Sequence, residues 1–178
     1  MRTPEPIELR FASWAKAFYA REYPQLPHYR QHLTLDRQRD SGDVYLSNDD
    51  GKRMNFDEKA SLSRWDGCLI ELLQDSTPRC GDGKPRSLGW FYDLTKCDRL
   101  LYGDYDGIEA LEPCQVHVVR LQRLRENYAR LSCPPNTRWS SRRSVKGFGV
   151  TEFVVAPWSL LIDEGIARRV SMPATMPA

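Results

Sequence analysis

The chain has 178 residues, 40% of them hydrophobic and 28% charged, with a net charge of +2. These are globular proportions, which exclude a wholly disordered chain, and the length suits one ordinary domain, read here as residues 1–178. No apolar run approaches the roughly 18 residues of a membrane span and no signal-peptide pattern opens the chain, so a cytoplasmic protein without a membrane partner is expected.

Residues 1–7 and 171–178 are Pro-containing, weakly patterned ends, read as disordered. Residues 8–22 predict an amphipathic helix, with Leu9, Phe11, Trp14 and Phe18 at helical spacing. Residues 24–35 read as an irregular connection. Val44-Tyr45-Leu46 predicts a strand, Asn48-Asp49-Asp50-Gly51 a turn, and Arg53 to Lys59 a second strand running back antiparallel. Cys68 to Leu73 predicts a third strand. Residues 74–87 read as a polar loop rich in Gly and Pro. Gly89-Trp90 predicts the start of a strand, Leu94 to Cys97 a helical turn, and Arg99 to Tyr102 and Gln115 to Val119 two more strands. Leu121, Leu124, Tyr128 and Leu131 mark a helix, residues 132–147 read as a basic loop, and a strand at 149–155 and a helix at 158–165 follow. The order predicts an α/β domain with a single mixed β-sheet and flanking helices.

Charge type and placement say more than net charge. There are 20 Arg and 6 Lys, and Arg offers a planar fork that grips phosphate with two hydrogen bonds. From Arg120 to Lys146 eight basic residues stand against one acid, Glu126, whereas 93–112 is acidic. That segregation suits one nucleic-acid-facing surface, although solvated faces also collect charge. Five widely spaced cysteines without a CxxC pair, and three histidines without a partner at metal spacing, point away from zinc. No Walker loop, nucleophile elbow or dinucleotide fingerprint occurs.

The segment from Gly42 to Lys59 carries the candidate chemistry. Residues two apart on a strand share a face, so Asp57 and Lys59 point together, opposite Met54, Phe56 and Glu58. The turn at 48–51 returns Asp43 beside Asp57. Two carboxylates and an ammonium then converge, a set that can hold Mg²⁺ (with Mn²⁺ as a substitute) and neutralise charge growing on a phosphate. Glu71, ending Cys68-Leu69-Ile70-Glu71 on the next strand, is either a further ligand or an edge residue. Bland readings stand beside these: Asp43 also suits a turn after Ser41-Gly42, and Asp57 with Lys59 also suits a solvated strand face.

Asp43, thirteen residues, then Asp57-Glu58-Lys59 resembles the PD-(D/E)XK nuclease superfamily, whose motif is an acid on one strand and (D/E)-x-K on the next. The ordered set from Asp36 to Tyr105, including Gly89-Trp90, Cys97-Asp98 and Tyr102, is similar to small phage- and prophage-type nucleases of this superfamily. Gly42 stands where that motif has proline. The resemblance implies a restriction-endonuclease-like core and a Mg²⁺-dependent deoxyribonuclease in which Asp43, Asp57 and Lys59 are catalytic and Asp43, Asp57 and Glu71 hold metal. DNA is the expected partner, met by Gln38, which also reads as plain loop, and by Arg138, Arg142 and Arg143, which also read as a solvated loop, with a homodimer compatible with the reading. Two other readings stay open: a nuclease-fold nucleic-acid-binding module without efficient catalysis, and a phage interaction protein whose arginines meet an acidic partner.

Overall fold

The computed structural model describes residues 6–62, 66–75, 87–132, 140–146 and 149–172. The first helix, α1 (Ile7–Glu22), starts after Pro6 and ends at Tyr23, ahead of Pro24. Proline enters a helix without losing a bond, and the residue before a proline leaves helical space. Phe11, Ala15, Phe18 and Tyr19 form its buried stripe at helical spacing. Leu9, expected on that stripe, is exposed.

Several short elements escaped the sequence pattern. β1 (His28–Gln31) lies within the expected irregular connection, α2 (Leu35–Ser41) follows it in a stretch for which no element was expected, and β10 (Ala167–Arg169) follows the last helix. β1 and β10 form the two edges of a six-stranded sheet. Edge strands are short and polar because one side faces no partner, so period-2 alternation is weak in them. Inside the sheet lie β2 (Val44–Ser47), β3 (Arg53–Ser61), β6 (Arg99–Asp104) and β7 (Gln115–Arg120). The order is β1-β2-β3-β6-β7-β10. Only β3 with β6 is parallel, so the sheet is mixed.

The expectation of a single sheet is corrected. β4 (Gly67–Asp75) does not join β3 but leads a second, antiparallel sheet with β5 (Ser87–Leu88), β9 (Gly149–Pro157) and β8 (Ser140–Lys146), in the order β5-β4-β9-β8. Sequential strands usually pair. Here β6 occupies the free side of β3, and the apolar run of β4 finds Val154, Val155 and Ala156 of β9 instead. Residues 140–146, expected within a basic loop, are the edge strand β8. Its run Ser140-Ser141-Arg142-Arg143-Ser144 has the polar, charged character with which edges resist further pairing. Trp90 does not begin a strand. It starts a one-turn helix, α3 (Trp90–Asp93), and residues 95–96 form a turn.

The helices divide the core in two. α1 lies on one face of the large sheet, where Phe11, Phe18 and Tyr19 meet Val44, Leu46, Phe56, Leu101, Val116 and Val118. On the other face Leu100, Tyr102 and Val119 meet Cys68, Ile70 and Ala156 of the second sheet, together with α3, α4 (Leu121–Ser132) and α5 (Trp158–Asp163). This second core reaches only part of the face. Along β1, β2 and the start of β3, the residues on that side are polar. There the candidate site lies.

Candidate active site

The hairpin is set by local chemistry. Asn48 accepts the Gly51 N–H through its backbone oxygen at 3.2 Å and the Lys52 N–H through Oδ1 at 2.9 Å, and Gly51 takes φ 81°. That turn chemistry fixes the register Ser47 with Arg53 through Val44 with Phe56. One step further, Asp43 comes level with Asp57. The ladder is taken over there by a side chain: Oδ2 of Asp43 accepts the Glu58 N–H at 2.9 Å. The Asp43 carbonyl accepts the His32 N–H at 2.8 Å, which ties β1 to the same point.

Gly42 makes this approach sterically feasible. It has φ 87°, and a β-carbon there would lie 2.4 Å from the Phe56 carbonyl oxygen. Its N–H closes α2 on the Gln38 carbonyl at 2.9 Å. The residue that departs from the nuclease motif is therefore required by the backbone of this chain.

Alternation along β3 sends Phe56 and Glu58 toward α1, and Arg53, Asn55, Asp57 and Lys59 to the opposite face. Asp57 is buried, its side chain only 5% exposed, and Lys59 Nζ stands 2.7 Å from its Oδ2. Burial pushes the Asp57 carboxyl up to about 6, and Asp43 adds to the rise by charge and hydrogen bonding, while Lys59 pulls it down. Burial works against the charge on Lys59, but Asp57, then Asp43 and Glu71, outweigh it and raise its pKa. A buried carboxylate with a like charge beside it needs a cation, and the ammonium of Lys59 is one. Glu58, turned under α1, accepts the Tyr19 hydroxyl at 3.0 Å. Burial first, then Asp43 and Asp57, lift its carboxyl to about 8.

Glu71 reaches this region from the second sheet, across from β3 rather than beside it. It is half-buried at a bulge in β4. Burial raises its pKa; Lys59 and the backbone N–H of Trp90 oppose the rise, and Asp93 adds to it. The structure thus brings Asp43, Asp57 and Lys59 together and sets Glu71 within electrostatic reach of Lys59. Among the described residues, no three carboxylate, histidine or cysteine side chains group closely enough to hold a metal ion.

The expected nucleic-acid contacts are spread out. Gln38, half-buried on α2, donates its amide to the His32 carbonyl at 2.8 Å. Arg142 and Arg143 lie on β8, opposite Phe153 and Glu152 of β9. Arg138 lies outside the described residues.

Sequence reasoning missed a group on the same face. Arg53 and Asn55 share the parity of Asp57 on β3, which was a legible signal. Arg30 and His32 join them only because β1 pairs with β2. Asp104 was also missed. It ends β6 opposite Ser61, is 5% exposed, and has no hydrogen-bond partner for Oδ1. Burial raises its carboxyl to about 7. No helix among the described residues is long and apolar enough to cross a membrane. The chain matches no family model, no curated protein and no solved structure.

Proposed function

We propose that this protein is a metal-dependent DNA phosphodiesterase of the PD-(D/E)XK type, with a restriction-endonuclease-like core built on the mixed six-stranded sheet. The observation that carries the reading is the meeting of Asp43 and Asp57 on one sheet face with Lys59 Nζ at 2.7 Å from Asp57. Two carboxylates this close repel each other, and a divalent cation relieves that repulsion as a proton would. Asp43 and Asp57 would hold Mg²⁺, or Mn²⁺ in its place, with water and a phosphate oxygen completing its coordination. Bound there, the ion would supply Lewis-acid polarisation of the phosphate and a more acidic water.

Lys59 contributes a fixed positive charge beside the phosphorus. As a water oxygen bonds to phosphorus and the bond to the leaving oxygen breaks, negative charge grows on the phosphate oxygens, and the ammonium stabilises it. The raised pKa keeps Lys59 charged across neutral pH. Glu71 adds negative charge near Lys59 from the second sheet. The test is a cleavage assay with Mg²⁺ on linear, branched and single-stranded DNA, run beside Asp57→Asn. Cleavage abolished by chelation and by Asp57→Asn is the expected result. No cleavage of any form by the parent protein would refute the reading.

A second reading draws on the same ion pair. Asp57 is tied to Lys59 at 2.7 Å, and a carboxylate so occupied suits a nuclease-fold protein that binds nucleic acid without efficient catalysis. Binding that persists while every substrate stays intact would select it.

A further inference from the structure

Arg53 opens β3 and is exposed, yet three groups hold its guanidinium. The Cζ atom lies 3.7 Å from the centroid of the Tyr45 ring. Nε donates to Asn55 Oδ1 at 3.0 Å, and Nη2 donates to His32 Nε2 at 3.1 Å. None of the three is an anion. Among the described residues Arg53 makes no ion pair. An exposed arginine ordinarily keeps its rotamer freedom. Here that freedom is already removed, while among the described residues no further partner takes the remaining N–H groups of the fork. That is a preorganised receptor for an oxyanion.

Two further arginines flank it, and the Asp98 carboxylate near Asn55 is engaged by the Asn55 N–H at 2.8 Å. Arg30 pairs with Tyr45 across β1 and β2 and is exposed. Arg37 on α2 is exposed and acts electrostatically on His32, as Arg53 does. The acid facing His32 is Asp40, and Lys96 holds it in an ion pair. Asp49, at the hairpin tip, is hydrogen-bonded to His28 at 2.8 Å. Three guanidinium groups thus border one stretch of sheet face. Arg53 and Asp57 lie on that face four residues apart on β3, about 13 Å along the strand.

We propose that Arg53 is a substrate-positioning residue that grips a backbone phosphate of a nucleic-acid strand laid across β1–β3, with Arg30 and Arg37 as flanking contacts. The strand would run along this face to Asp43, Asp57 and Lys59. This deepens the phosphodiesterase reading and rests on it only for the location of the scissile bond. His32, Tyr45 and Asn55 act through Arg53 by holding its fork.

The test is fluorescence anisotropy of the full chain with a labelled single-stranded oligonucleotide and with its duplex, under chelation, across a salt series, with melting temperatures recorded for each variant. Arg53→Ala should weaken binding about tenfold and remove one phosphate contact from the salt slope, about 0.7 for single strands and about 0.9 for duplex. Arg53→Lys should restore the slope but not the affinity, since the charge returns without the fork. His32→Gln should weaken binding with the slope unchanged, because Arg53 keeps its charge and loses an anchor. The arm that shows these changes identifies the form of strand recognised. Arg53→Ala matching the parent in both affinity and slope would overturn the proposal, as would a parent that binds neither oligonucleotide. A Mg²⁺-dependent cleavage assay separates the two readings. Cleavage with an inert Arg53 removes the clamp and leaves the phosphodiesterase. Arg53-dependent binding without cleavage removes the phosphodiesterase and leaves the clamp.

Discussion

Gly42 and Phe56 meet backbone to backbone: a β-carbon on Gly42 would lie 2.4 Å from the Phe56 carbonyl oxygen. This contact sets how close Asp43 comes to Asp57, since each is the next residue along the chain. Gly42→Ala should destabilise the protein by about 3 kcal/mol or more, combining left-handed strain with a backbone clash. Gly51→Ala is the control. Gly51 has φ 81° with open space around it, so strain alone should cost about 1–2 kcal/mol. Urea titration measures both. Equal losses would show that the Phe56 contact is not limiting.

The ion pair of Asp57 with Lys59 predicts strong coupling. Lys59→Ala leaves a buried carboxylate uncompensated, and the protein should lose about 2 kcal/mol. This is less than a deep-interior pair would lose, because the Lys59 side chain is 37% exposed. In the Asp57→Asn/Lys59→Ala double variant much of that loss should return, since no buried charge is left unpaired. Cleavage should not return with it. Additive losses in a double-mutant cycle would show that the pair is not coupled.

Asp104 and His117 give opposite pH signatures. The Asp104 carboxyl is raised by burial from 3.8 to about 7. The folded state therefore holds a proton that the unfolded chain releases across that interval, and the associated stability is present below 3.8 and lost as pH rises through about 7. Asp104→Asn should raise the melting temperature near pH 8 and change it little near pH 4, with about 2–4 °C per kcal/mol for a chain of this size.

His117 is lowered by burial from 6.5 to about 4, with Arg169 adding to the shift, and it stacks on Trp158 at 3.8 Å. Its stability is present above 6.5 and lost as pH falls through about 4. His117→Phe should keep the stack and flatten the acid side of the profile. Melting curves from about pH 4 to pH 8 resolve both effects. A parent profile in either variant would show that its group carries no linkage.

The arginines of the basic segment should act through charge alone. Arg138, Arg142 and Arg143 changed together to Ala should lower DNA affinity and flatten the salt dependence by up to three contacts, at about 0.9 per duplex phosphate. Mg²⁺ binding at Asp43 and Asp57, followed by calorimetry, should not change, because Arg142 and Arg143 lie on β8 of the other sheet. An unchanged salt slope would favour an acidic protein as the partner of these arginines.

What the sequence determined by itself is what a few neighbouring residues decide. The stripe Phe11, Phe18 makes α1, Asn48 to Gly51 makes the turn, and alternation along β3 sends Asp57 and Lys59 to one face and Phe56 and Glu58 to the other. These follow from backbone periodicity and turn chemistry, which act over a few residues. Pairing partners beyond that hairpin were not legible in the same way. That β6 runs parallel beside β3, that β4 leaves for a second sheet and brings Glu71 toward Lys59 from across the core, and that β1 sets His32 against Arg53, all depend on which apolar faces bury best together. That choice is made over long sequence separations, among strands whose local patterns are alike, and only the packed tertiary structure decides it.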